Sequence, residues 1–183
     1  NPGNLVLWEF TDADDADLGY TYSQPAIVKV RTGAGTTRWA AIFGNGYNNT
    51  TTDANISSTG QAALYIVDIE NGTLIRKIET RTGISQDPTG TSRPNGLATP
   101  AVVDINGDSI ADYVYAGDLF GNLWKFNLRD NDPTNWAIPY GTASAPQPLF
   151  IAGYDANNDG DLDDTGEYIQ PITVRPEVAR GPR

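Results

Sequence analysis

Gln24-Pro25-Ala26-Ile27-Val28 is the stretch whose reading decides the fold, because it comes back twice. It returns as Thr99-Pro100-Ala101-Val102-Val103 and again as Gln170-Pro171-Ile172-Thr173-Val174. A period of this length marks an architecture of repeated units. Behind the first copy lies Arg38-Trp39-Ala40-Ala41-Ile42-Phe43-Gly44; behind the second, Asp112-Tyr113-Val114-Tyr115-Ala116-Gly117. Next come Leu64-Tyr65-Ile66-Val67-Asp68 and Leu123-Trp124-Lys125-Phe126-Asn127. In the first unit a further run, Thr73-Leu74-Ile75-Arg76-Lys77-Ile78, follows Asn71-Gly72, a tight-hairpin signal.

Each unit reads as four short strands rich in β-branched and aromatic residues. Runs such as Trp39 to Phe43 are apolar without alternation, which means strands covered on both faces. Stacked blades of a β-propeller have that property, whereas a sandwich shows cleaner alternation and closer strand spacing. The prediction is an all-β chain, residues 1–183 forming part of one propeller domain and covering about two and a half blades. The blade repeats run roughly over 20–90 and 95–165, with a third beginning near 168. Leu5-Val6-Leu7-Trp8-Glu9-Phe10 reads as the last strand of an earlier blade. A propeller closes with 4–8 blades, so a larger ring is expected. No helical pattern of useful length is present.

Between strands one and two of the second unit the chain reads Asp104-Ile105-Asn106-Gly107-Asp108-Ser109-Ile110-Ala111-Asp112. Oxygen-bearing side chains fall at positions 1, 3, 5 and 9, and Ile110 at position 7 offers its carbonyl. Calcium takes six to eight oxygens, and alternate residues of a tightly wound loop can point inward together. Gly107 at position 4 permits a sharp turn, although an EF-hand loop carries its glycine at position 6. An acidic solvated turn is the plain alternative, but a turn needs only one or two carboxylates. The same join in the first unit runs through Lys29, Arg31, Gly33, Gly35 and Arg38 with no carboxylate. The ion would therefore be a local device and not a requirement of the blade.

A second stretch repeats the spacing as Asp155, Asn157, Asp159 and Asp163, with Gly160 at position 6 and the Asp161 carbonyl at position 7. Glu167 and Asp164 could add a ligand. Thr11-Asp12-Ala13-Asp14-Asp15-Ala16-Asp17 lacks a turn glycine and reads as a solvated inter-blade loop. Residues 45–60 form an Asn/Thr/Gly-rich insertion, read as surface loop. Asn48, Asn49, Asn55 and Asn71 begin Asn-x-Ser/Thr sequons, which matter only in a eukaryotic secretory protein.

Twelve basic residues face 23 acidic ones, a formal net charge of -11. That balance argues against docking on nucleic acid or an anionic membrane and suits cation binding. With no Cys and no His, disulfides, thiolate nucleophiles, zinc–thiolate sites and Ser-His-Asp catalysis are all closed to this chain. No run approaches the roughly 20 apolar residues of a membrane span, and no signal peptide is visible. A start at Asn1-Pro2 without Met suggests a piece of a longer precursor.

Leu7-Trp8-Glu9-Phe10-Thr11-Asp12, Ser23-Gln24-Pro25, Ala41-Ile42-Phe43-Gly44-Asn45-Gly46-Tyr47, Leu74 to Ile78, Asp104 to Asp112, Tyr115 to Asp118, Gly121 to Phe126 and Gln170 to Thr173 resemble the C-terminal propeller of PilY-type type IV pilus adhesins. The pairing of Phe43-Gly44-Asn45-Gly46-Tyr47 with the Asp104 loop is more specific than either alone. The resemblance implies a bacterial protein of the pilus tip and cell surface that passes through the periplasm. It further implies roles in pilus assembly, opposition to retraction, adhesion and twitching motility, with pilins, minor pilins or a host or surface receptor as partners. The family's calcium ligands carry over to Asp104, Asn106, Asp108, Ile110 and Asp112. Arg180-Gly181-Pro182 departs from the Arg-Gly-Asp adhesion motif of some members.

A non-enzymatic, calcium-dependent pilus module is the leading expectation. The alternative is a fragment of a quinoprotein dehydrogenase, whose propellers have related Gly- and Trp-rich blades and bind pyrroloquinoline quinone with calcium at the ring axis. A quinone site gathers ligands from several blades; a contiguous loop needs no cofactor. An integrin-α-like propeller with calcium hairpins ranks third.

Overall fold

The structure is a computed structural model and describes residues 5–51, 55–154, 156–157, 166–179 and 181. The first repeat folds as a four-stranded antiparallel sheet, β1 (Ala26–Gly33), β2 (Thr36–Gly44), β3 (Ala63–Asp68) and β4 (Leu74–Glu79), in that order. The second forms another, β5 (Ala101–Val103), β6 (Tyr113–Gly117), β7 (Asn122–Asn127) and β8 (Phe150–Ile151). A two-stranded ladder, β9 (Gly153–Tyr154) with β10 (Tyr168–Ile169), completes the strands among the described residues.

The unalternated apolar runs are the strands buried on both faces. All six residues of β3 are buried. Along β2, Ala40 and Ile42 join the cluster between the two sheets, while Ala41 and Phe43 join a second cluster on the opposite face. The inter-sheet core adds Leu64, Ile66, Val114, Trp124, Phe126 and Trp136. Full burial of each aliphatic or phenyl side chain contributes roughly 1.5–3 kcal/mol, so this interface is the main stabilising layer. Trp136 reaches it from the long connection between β7 and β8. There Asp132 caps a 3₁₀ turn at Pro133–Asn135, and the indole donates to the Asp130 carbonyl at 2.8 Å.

Glycine makes the close stacking possible at Gly44. A Cβ there would overlap the Leu97 carbonyl oxygen and meet that of Ala98 at 2.6 Å. Gly117 stands at the matching place in the second sheet, with Ile172 crossing it.

Four expectations are corrected. Residues 5–10 form no strand: among the described residues no strand pairs with them, and Trp8 and Phe10 instead pack on the outer face of the first sheet. The Trp8 indole donates to the Ile69 carbonyl at 2.9 Å. Residues 170–174 form no strand either; the Gln170 and Ile172 amides instead donate singly to the Ala152 and Asp118 carbonyls, at 2.9 and 3.0 Å. Lys29, Arg31 and Arg38 lie within paired strands, and the join between β1 and β2 is only Ala34-Gly35, with Gly35 at φ +70°. The Asn71-Gly72 hairpin is real but longer than a two-residue turn: residues 69–73 join β3 to β4, and the Asp68 amide donates to the Thr73 carbonyl within it at 2.8 Å.

Candidate functional site

Asp104 to Asp112 is a single loop that closes the β5–β6 hairpin. The Asp112 amide donates to the Val103 carbonyl at 2.9 Å, and Val103 pairs with Tyr113. Inside the loop the side-chain oxygens fold back on the backbone. Asp104 accepts from the Gly107 amide at 2.7 Å and the Ser109 amide at 2.6 Å. Asn106 accepts from Asp108, and Asp108 from Ile110, each at 2.9 Å. Asp112 Oδ2 accepts from the Ile105 amide at 2.9 Å. These bonds wind the loop tightly enough to hold Gly107 at φ +83° and Ser109 at φ +66°. A left-handed serine costs on the order of 1 kcal/mol and persists only where neighbours hold it.

A residue from the other sheet completes the site. The Arg31 guanidinium of β1 bridges Asp108 Oδ2 at 2.8 Å and Asp112 Oδ1 at 3.0 Å. It also donates to the Ala111 carbonyl at 3.1 Å. Asp112 is fully buried, and its Oδ1 makes no hydrogen bond; Arg31 faces it as an ion pair without hydrogen-bond alignment. Desolvation pushes the Asp108 carboxyl up, but the Ile110 amide, the Asn106 amide and Arg31 outweigh it and hold it below the usual carboxylate value. The backbone joins in: the Ala111 amide donates to the Lys29 carbonyl at 2.9 Å, so the loop is bolted to the edge of β1.

Asp108 and Asp112 are therefore brought together, while Asp104 is turned onto its own loop's amides. Among the described residues no three carboxylates converge as a ready metal cage. The donor set still fits a hard cation. Asp104, Asn106, Asp108, the Ile110 carbonyl and Asp112 offer only oxygen, Asp112 Oδ1 is a buried oxygen with no hydrogen bond, and a positive group already bridges two of the five. Arg31 was invisible as a member of the site in the sequence, where it stands 77 residues from Asp108.

In the second acidic stretch Asp155, Asp159, Asp161 and Asp163 lie outside the described residues; Asn157 is described and exposed. The flanks are set by Tyr168 pairing with Tyr154, their rings stacked at 5.3 Å. Glu167 does reach the start of the stretch, accepting from the Ala156 amide at 3.0 Å.

The acidic stretch at 12–17 is not wholly solvated, which corrects its reading. Lys77 on β4 pairs with Asp15 at 2.8 Å and Asp17 at 2.7 Å. Asp17 also accepts from Ser57 and from Gln61, and Asp15 from the Tyr65 hydroxyl. Burial raises the Asp17 carboxyl, but Lys77, Ser57 and Gln61 together hold it low. Likewise the insertion at 45–60 is partly core. Asn45 and Asn49 are buried, and both donate to the Asp17 and Gln61 carbonyls, so the Asn49 sequon is not a free acceptor.

Comparison with known proteins places this architecture. The PilY1 beta-propeller domain matches residues 9–183. A type IV pilus biogenesis factor PilY1 homolog of Xylella fastidiosa is 47% identical over 182 residues, 97% of this chain and 11% of its own length. The type IV pilus biogenesis factor PilY1 of Pseudomonas aeruginosa strain UCBPP-PA14 is 37% identical over 195 residues, 97% of this chain and 14% of its own. The crystal structure of the Pseudomonas aeruginosa PilY1 C-terminal domain superposes with a TM-score of 0.69 at 33% identity, over 96% of this chain and 33% of that one. The chain thus spans a small part of the length of these relatives. Two blade-like sheets in sequence order, packed through one apolar interface, are what a propeller domain supplies, and the chain belongs to the PilY1 β-propeller family.

Proposed function

We propose that this chain is a calcium-binding, non-enzymatic module of a type IV pilus biogenesis and adhesion protein. It acts at the pilus tip and cell surface, after passage through the periplasm, in the control of pilus assembly and retraction, twitching motility and surface attachment. Pilins or minor pilins and a surface receptor are its partners, and residues 1–183 belong to one propeller domain. The names of the relatives support the pilus role.

The observation that carries the calcium reading is the buried, non-hydrogen-bonded Oδ1 of Asp112 beside Asp108 in an all-oxygen loop. Asp104, Asn106, Asp108, Asp112 and the Ile110 carbonyl would hold the ion, which would supply a fixed positive charge and close the loop. Five protein oxygens suit calcium's flexible shell better than magnesium's octahedron. The spacing at Asp155, Asn157, Asp159, Asp161 and Asp163 argues a second such loop. The first sheet makes the equivalent connection with a two-residue turn and no carboxylate, so the blade folds without the ion.

The test is a pair of variants, Asp108→Ala and Asp108→Lys, assayed by calorimetry and in cells. Both should lose calcium at this loop and keep the fold. If the charge at the loop is the signal, their piliation and twitching phenotypes should be opposite, because Lys supplies a fixed cation and Ala does not. Global unfolding of both would make the loop structural, and wild-type behaviour of both in cells would remove the regulatory reading.

A further inference from the structure

We propose that Arg31 is a tethered counter-cation of the 104–112 loop, displaced when calcium enters, so that ion binding is felt at the junction of the two sheets. This rests on the calcium reading above and adds to it a competitor built into the neighbouring blade.

Arg31 is held for the role. Its side chain is only 14% exposed, and its two terminal nitrogens reach Asp108 Oδ2 and Asp112 Oδ1, two of the oxygens the cation would use. A guanidinium and a divalent ion cannot share those oxygens closely, because their charges repel across a short, partly desolvated distance. Entry of calcium therefore requires the guanidinium to withdraw. The place it withdraws from is mechanically informative. The register between β1 and β2 shifts between Arg31 and Gly33, so the strand is already irregular where the side chain leaves it. Two residues earlier, Lys29 carries the backbone bond to Ala111 and the bridge to Ile110. The same short segment of β1 thus holds the loop by its backbone and neutralises it by its side chain. Exchange of arginine for calcium changes one of those two attachments and leaves the other.

The consequence is a lowered apparent affinity. A competitor in place about nine-tenths of the time weakens calcium binding about tenfold. Arg31→Met keeps the apolar stem and removes the charge, so calcium should bind about tenfold more tightly. Arg31→Lys keeps the charge without the bidentate fork and should fall between.

The experiment is a calcium titration of the intact protein, labelled with ¹⁵N at glycine and arginine. The Gly107 amide reports this loop, and the Arg31 Nε–H reports the competitor. In the wild type both signals should move with one isotherm; in Arg31→Met the Gly107 isotherm should shift to lower calcium. Binding by Arg31→Met alone would also support displacement. Equal or weaker binding by Arg31→Met would overturn the proposal and leave the calcium reading standing. If neither protein binds at Gly107, both fall. If the variant fails to fold, the wild-type titration decides: an Arg31 signal that stays fixed while Gly107 moves refutes displacement.

Discussion

Replacing Asp118 by asparagine should destabilise the domain by about 2–4 kcal/mol. Asp118 sits at the end of β6, fully buried, and every group that meets its carboxylate is a donor. Oδ1 accepts from the Phe120 amide at 2.9 Å and the Asn122 amide at 2.8 Å. Oδ2 accepts from the Trp124 indole and the Asn95 amide, each at 2.8 Å, and from Asn122 Nδ2 at 2.9 Å. Burial pushes the carboxyl up, and the donors from Trp124, Asn122 and Asn95 offset only part of that, leaving it above the usual carboxylate value. Asparagine has nearly the same shape but puts N–H where Oδ2 stood, facing Trp124 and Asn95, while Asn122 Nδ2 keeps its bond to Oδ1 at 3.2 Å. Two hydrogen bonds to a charged acceptor are worth roughly 3–6 kcal/mol together, and relief of the buried charge offsets part of that loss. The assay is urea denaturation at neutral pH followed by tryptophan fluorescence, with the midpoint shifted down at unchanged slope. A variant as stable as the wild type, or more so, would show that the desolvation penalty outweighs the ring of donors, and the reasoning would be wrong.

Gly44→Ala should cost about 1–3 kcal/mol, since its Cβ meets the backbone of Leu97 and Ala98 and no flexible side chain can give way; a thermal melt checks it. Asp17, held low, contributes stability that is full above its ordinary value of 3.8 and is lost as pH falls through its folded value. Lys77, held high by Asp15 and Asp17 against a desolvation that would lower it, contributes stability present below 10.5 and lost as pH rises through its folded value. Lys77→Met should therefore flatten the loss of stability on the acid side. At neutral pH it should cost about 1–3 kcal/mol, less than a fully buried pair because solvent reaches the cluster's edge. Denaturation midpoints measured from pH 2 to pH 7 would reveal both. Trp136→Phe should cost about 1–3 kcal/mol, by removing the indole bond to the Asp130 carbonyl and by leaving a gap in the inter-sheet core, read from the same denaturation assay.

The repeat was readable because strand pairing is local. Ala26–Gly33, Thr36–Gly44, Ala63–Asp68 and Leu74–Glu79 follow one another and pair with their sequence neighbours, so apolar runs and turn residues sufficed. Asp104 to Asp112 was legible as one loop for the same reason: its ends are the hairpin's ends. What could not be read is long-range charge pairing. Arg31 meets Asp108 only because two sheets stack, and nothing near Arg31 in the chain names its partner. Asp15 and Asp17 look solvated among their acidic neighbours, yet Lys77, 62 and 60 residues away, takes them into a part-buried cluster. The apolar run at Leu5 to Phe10 has strand composition, but a strand also needs a neighbour to bond with, and composition is silent on that.

Calcium at the 104–112 loop is the claim on which the account turns, and a crystal structure of the protein grown with calcium tests it most directly. The account predicts an anomalous peak ligated by Asp104, Asn106, Asp108, Asp112 and the Ile110 carbonyl at about 2.3–2.6 Å, with the Arg31 guanidinium moved off Asp108. A well-ordered loop with no peak, and with Arg31 still bridging Asp108 and Asp112 at millimolar calcium, would contradict it.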